Sequence, residues 1–172
     1  MKRRSLTIAV ALCVLAPAAA SAGRVGWNET AKVRGARVMS YRVDTVSVRK
    51  NGWTAHVSFK NLSHQTIRVG SEFGLAFYAD GKATSLTQAV GFASATKFST
   101  KTPTSLKPGE SWTGVIGGSG NLTMSGRVYA RVVFGPFTGM PGESSSVVWI
   151  TDHATTVGTG APPAPPVTGP VI

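Results

Sequence analysis

Between Asn51 and Asn61 the chain alternates large apolar and polar side chains without a break. Trp53, Ala55, Val57 and Phe59 hold one phase, and Thr54, His56, Ser58 and Lys60 hold the other. A period of two belongs to a half-buried antiparallel strand. Nine residues at roughly 3.3 Å each reach about 30 Å, enough to cross a small domain. Asn51-Gly52 in front of the run is the strongest two-residue signal for a type I′ hairpin, whose central residues both need positive φ. A strand is therefore expected to enter from the N-terminal side, turn at Asn51-Gly52, and leave with its bulk on one face.

The segments on either side read the same way. Met39, Tyr41 and Val43 share one phase, and Val46 and Val48 share the other. The flip near Asp44-Thr45 fits a β-bulge, which inserts one unpaired residue, or two separate short strands. Thr66 to Val69 is a short strand. Phe73, Leu75 and Phe77 face one way while Gly74, Ala76 and Tyr78 face the other, leaving a small face open to close approach by another segment or partner. Lys82 to Thr104 predicts one irregular strand and a long loop. Leu106-Lys-Pro-Gly-Glu110 places Pro and Gly for a type II turn. Ser111 to Ile116 resumes a strand, which Gly117 to Gly120 is expected to break. Val128, Ala130, Val132 and Phe134 form a second clear amphipathic strand, ended by Gly135-Pro136, and Val147 to Ile150 reads as a buried last strand. No helical periodicity competes. The expectation is an all-β chain, an immunoglobulin-like antiparallel β-sandwich of about seven or eight strands, with Trp53, Val57, Phe59, Leu75, Phe77, Val132 and Phe134 inside.

The ends have a different character. Lys2, Arg3 and Arg4 precede an apolar run from Leu6 to Ala18, and Ala20-Ser21-Ala22 is a small-residue cleavage site. That is the pattern of a secretory signal peptide over residues 1–22. Cys13, the one cysteine, lies inside it, so the exported chain is expected to carry no disulfide, and after cleavage no membrane span. Residues 23–35 read as a basic N-terminal arm that docks by Trp27 or stays mobile. The sandwich is expected over 36–154. Residues 155–172, with Ala161-Pro-Pro-Ala-Pro-Pro166, read as a disordered Pro-rich tail.

Three stretches carry a family resemblance: Asn51-Gly-Trp-Thr-Ala-His-Val-Ser-Phe-Lys-Asn61, Phe73-Gly-Leu-Ala-Phe-Tyr-Ala-Asp-Gly81 and Leu106-Lys-Pro-Gly-Glu-Ser-Trp-Thr-Gly114. Together they resemble secreted bacterial immunoglobulin-like domains, a superfamily that includes the mycobacterial immunoprotective extracellular protein and lipoprotein-associated modules. The resemblance covers roughly Arg42 to Gly114 and rests on strand and turn chemistry. It implies an exported, non-catalytic sandwich and carries no functional residues across.

Candidate chemistry is sparse. His56, His64 and His153, with Asp44 and Asp152, are the residues able to build a metal or acid–base site, and no pair has helical or zinc-loop spacing. Adjacent Asp152 and His153 should point to opposite faces of a strand. There is no Gly-x-Ser-x-Gly elbow, and Gly114 to Gly120 lacks the lysine and helix of a phosphate loop. Asn28, Asn61 and Asn121 begin glycosylation sequons, which matter in a eukaryotic secretory route. Trp27, Tyr41, Tyr78 and Tyr129 are the aromatics that an exposed sugar-stacking row would use. No catalytic, metal or cofactor residue is assigned.

Charge is the remaining signal. The chain has 18 basic and 7 acidic residues, and such an excess attracts polyanions. Arg24, Lys32, Arg34, Arg37, Arg42, Arg49 and Lys50 fall within one stretch that holds only Glu29 and Asp44 as acids. Lys82 and Lys97 look scattered by comparison. The expectation is a secreted, extracellular or periplasmic envelope protein that is not an enzyme and binds through these residues to an anionic envelope polymer, a lipid surface or another protein. Nucleic acid is not expected. The alternatives are a secreted protease inhibitor or a carbohydrate-binding module, and then a hydrolase.

Overall fold

The alternating run becomes the third of three long strands, β1 (Gly23–Val33), β2 (Ala36–Arg49) and β3 (Gly52–Asn61). The computed structural model describes residues 23–122 and 126–157, so the apolar leader and the Pro-rich segment beyond Val157 lie outside the described residues. Nine further strands follow: β4 (Ile67–Val69), β5 (Gly74–Tyr78), β6 (Gly91–Ser94), β7 (Lys97–Phe98), β8 (Ser105–Leu106), β9 (Ser111–Ser119), β10 (Val128–Thr138), β11 (Val147–Ile150) and β12 (Thr155–Val157). Among the described residues there is no α-helix, only a single 3-10 turn at Leu86–Gln88.

Every strand pair is antiparallel, and the strands divide between two sheets. Sheet A runs β1-β2-β3-β9-β7. Sheet B runs β6-β5-β10-β4-β8, with β11 and β12 also paired to the long β10. One of the chain's passages between the sheets is at Ala95-Thr96, between β6 and β7. Both residues are bonded across that passage, Ala95 N–H to Phe73 O at 2.7 Å and Thr96 N–H to Gly117 O at 2.8 Å.

One apolar cluster joins the sheets. All seven residues expected inside are buried in it. Phe59 of β3 stands at its centre, with ring centroids 5.2 Å from Trp112, 5.8 Å from Phe73, 5.6 Å from Phe137 and 6.4 Å from Phe134. Burying a side chain of this kind stabilises by about 1.5–3 kcal/mol. The other face of β5 is covered too. Ala76, Tyr78 and Val133 form a second cluster against Ala83, Ala89, Tyr129, Val148 and Ile150, so of the segment or partner expected on that face it is the chain's own segments that approach.

Several turns differ from the sequence reading, each for a local reason. The β2–β3 turn is Lys50-Asn51, since Arg49 pairs with Gly52, and neither turn residue has positive φ. Gly52 answers a packing demand instead: a Cβ there would stand 2.6 Å from Gly118 O. The two-residue hairpin with both central residues at positive φ is Arg34 (φ 49°) and Gly35 (φ 83°), between β1 and β2. At Asp44 the register shifts between Val43 and Thr45, so the phase flip is a bulge within one strand. The type II turn before β9 forms as expected, with Gly109 at φ 79° and Glu110 N–H donating to Lys107 O at 3.0 Å.

Two expected breaks are not breaks. β9 continues through Gly117 and Gly118, because the sheet requires bare backbone there. A Cβ on Gly118 would lie 2.4 Å from Ser94 O and 2.6 Å from Trp53 Nε1. β10 continues through the cis Gly135-Pro136 bond to pair with β4, with its register to β11 shifting between Phe134 and Phe137. Val147–Ile150 is half-buried rather than buried, and it is not last. Thr155–Val157, placed by the sequence in the tail, is β12.

Candidate polyanion-binding face

Residues 23–35 are not an arm. They form β1 and its turn, the edge of sheet A, and Glu29 fastens them to the link between β11 and β12. The Glu29 side chain is only 6% exposed. Its Oε2 accepts from Asp152 N–H at 2.9 Å, and its Oε1 accepts from His153 N–H at 3.1 Å and contacts His153 Nδ1 at 2.7 Å. Trp27 does dock, stacking on the His153 ring at 5.8 Å and packing, partly buried, against the core. The Asp152-His153 pair is thus answered by a carboxylate from β1.

With β1 in the sheet, alternation sorts the charges. The strands of sheet A carry seven cations: Arg24, Lys32, Arg37, Arg42 and Arg49 on β1 and β2, Lys60 on β3 and Lys97 on β7. Their two acids are Glu29 and Asp44. Glu29 is committed to the Asp152-His153 amides. Asp44 accepts from Arg42 Nε at 2.6 Å and lies 3.4 Å from His56 Nδ1. Register puts Arg24 opposite Thr45, Arg42 opposite Ser58, Arg49 opposite Gly52, Lys60 opposite Ser40 and Lys97 opposite Gly117. Each faces away from the apolar cluster, because the inward positions of β3 are Trp53, Ala55, Val57 and Phe59. Between the cations the same face carries serine and threonine hydroxyls.

Two depressions lie on this face. One, of about 580 Å³, lies between Arg49 and Lys97 over Gly52, Thr54 and Gly117. The other, of about 410 Å³, is bordered by Arg37, Arg42 and Lys60. Two of the residues singled out from sequence are not on the face: Arg34 sits in the β1–β2 turn beside Gly142, and Lys50 sits in the β2–β3 turn beside Asn121. Two that belong to it, Lys60 and Lys97, fall outside the dense basic stretch. Register alone brings them in, and a linear sequence does not display register.

The other sheet is different. Its described strands carry Arg68 and Arg131 and no acid. Arg131 is buried at 2% exposure. It acts as a latch, donating to Thr151 O at 2.7 Å, to Asp152 O, and to Gly81 O at 2.6 Å.

The remaining candidate side chains are dispersed. His56 meets Asp44, His153 meets Glu29, and His64 is exposed in the turn after β3. Among the described residues no group of three or more His, Cys, Asp and Glu is placed to hold a metal ion. No helix among them is long and apolar enough to cross a membrane. Asn61 is wholly buried, its Nδ2 donating to Gln65 O and Leu106 O at 2.7 and 2.9 Å and its Oδ1 accepting from Ser63, so that sequon is closed. The aromatic row is absent from the surface, since Tyr41 and Tyr78 are buried in the two clusters. No family model and no curated protein matches the chain.

Proposed function

We propose that this chain is an exported, non-catalytic binding protein of immunoglobulin-like sandwich architecture that adsorbs to anionic polymer of the cell envelope. The single observation carrying the reading is the outer face of sheet A, where seven cations stand on four of the five strands and both acids are already engaged. Such a surface keeps a positive potential that its own carboxylates do not cancel, and it draws polyanions without strict geometry. The apolar cluster between the two sheets and the antiparallel pairing throughout support the sandwich. The sequence resemblance supports the immunoglobulin-like topology, and the leader supports export.

Retention on an immobilised anionic polysaccharide, followed against salt, tests the reading. Exposed charges are screened over about 10 Å at 0.1 M ionic strength, so retention should fall steeply between low and physiological salt. Arg37→Gln/Arg42→Gln/Lys60→Gln should elute well before Arg68→Gln/Lys82→Gln. Equal elution of the two variants per charge removed would reduce the face to general basicity and sink the proposal.

A further inference from the structure

The depression at the Arg49 end is more than a gap between side chains. Ser47, Thr54, Gly117 and Lys97 form one row across β2, β3, β9 and β7, and Arg49, Gly52 and Ser119 form the next. Arg49 therefore borders the bare backbone of Gly52 and Lys97 that of Gly117, with only the short side chains of Thr54 and Ser119 beside the two glycines, and a trough results. Its floor is obligatory. A Cβ on Gly52 would stand 2.6 Å from Gly118 O, and one on Gly117 would stand 2.7 Å from Trp53 O. The volume of about 580 Å³ suits a small-ligand site, and no acidic residue lines it.

The spacing says what kind of ligand fits. β2 and β7 are three strand steps apart, roughly 14 Å at the backbone, which is wide for two cations to close on one small anion. The rows between them offer hydroxyls, from Ser47 and Thr54, rather than more charge. We infer that the trough is a subsite for a hydroxylated chain bearing carboxylate or phosphate groups, an anionic glycan or a polyol phosphate, and this rests on the reading of the face given above. Arg49 and Lys97 pair with successive anionic groups. Ser47 and Thr54 hydrogen-bond the hydroxyls of the unit lying between them over the glycine floor.

The experiment titrates the secreted protein at constant 0.15 M salt with four probes, following backbone amide resonances and affinity. Two are hydroxylated polyanions, a galacturonate hexamer and a glycerol-phosphate hexamer, and they separate the carboxylate source from the phosphate source. Two are comparators, a neutral glucan hexamer and a linear hexaphosphate. At least one hydroxylated polyanion should bind most tightly and shift Thr54, Gly117 and Lys97 together. Arg49→Gln/Lys97→Gln should weaken it about tenfold or more, the order expected for losing charge-assisted contacts, while Arg68→Gln/Lys82→Gln changes it less than about twofold. Thr54→Val keeps every charge and should weaken the hydroxylated probe but not hexaphosphate. Hexaphosphate binding as tightly as both hydroxylated polyanions would overturn the inference, as would equal binding of the neutral glucan. If Arg37→Gln/Arg42→Gln/Lys60→Gln abolishes polymer retention while the trough variants change nothing, the trough assignment falls and the broader face survives. If neither set has an effect, both fall.

Discussion

Glu29 shows how much one side chain can hold when its partners are backbone groups. A carboxylate accepting from two consecutive amides and a ring nitrogen fixes the β11–β12 link against β1, with Trp27 lying over the same histidine. Its removal leaves two N–H groups on exposed residues that water can satisfy, so the loss is the net worth of hydrogen bonds to a charged acceptor, roughly 1.5–3 kcal/mol. Glu29→Ala is therefore expected to lower the free energy of unfolding by about that amount in a urea titration. His153→Ala should cost distinctly less, because the two backbone donors remain. Equal losses would mean that the imidazole, and not the amide pair, is the anchor. Arg131 works by the same device with the sign reversed, a cation held by carbonyl oxygens from two separate loops.

At the level of strands, β9 gives the sharpest test. Its glycines are there for approach, so Gly118→Ala should destabilise by about 1–3 kcal/mol, the usual cost of forcing extra volume into a packed site. Thermal unfolding would read it, and a variant as stable as the parent would show that Ser94 O and the Trp53 ring can give way. The contrast with β3 explains what was legible beforehand. In β3 one face meets the core and the other meets solvent, so burial writes itself into alternation. In β9 the constraint comes from Trp53 and Ser94 on neighbouring strands, and in sequence it looks like a run of breakers. β1 was illegible for a related reason: Glu29 and Trp27 are interior on account of residues far along the chain, not of their neighbours. The trough was less legible still. Gly52 and Gly117 read as a turn residue and a strand break until pairing sets them on one face, opposite Ser119 and Thr54.

As a whole, the molecule separates its duties between two sheets. Sheet A carries the charge outward, while sheet B turns its second apolar surface toward its own loops and holds its one buried cation with carbonyls. The shared interior has a consequence at high pH. Burial pushes the Tyr41 phenol far above its ordinary value of 10.0. It raises Tyr78 as well, with the nearby Arg131 guanidinium pulling partly back. Below pH 10 both folded and unfolded states keep these protons, and the stabilisation from burying neutral phenols is fully present. Above it the unfolded chain ionises before the folded chain does, so stability declines as pH rises. Phenolate absorbance should accordingly show these two tyrosines titrating together with the loss of tertiary circular dichroism, and earlier independent ionisation of Tyr41 would contradict its place between Phe134 and Trp149. The Glu29 anchor, finally, has a meaning in time. Its partners lie 123 and 124 residues further along, so the edge strand is secured by a segment remote from it in the chain. A fold closed by so distant a contact forms slowly and late. Until Asp152 and His153 reach it, the Glu29 side chain lacks these donors, and β1 is joined to the sheet by its pairing with β2 without that clamp.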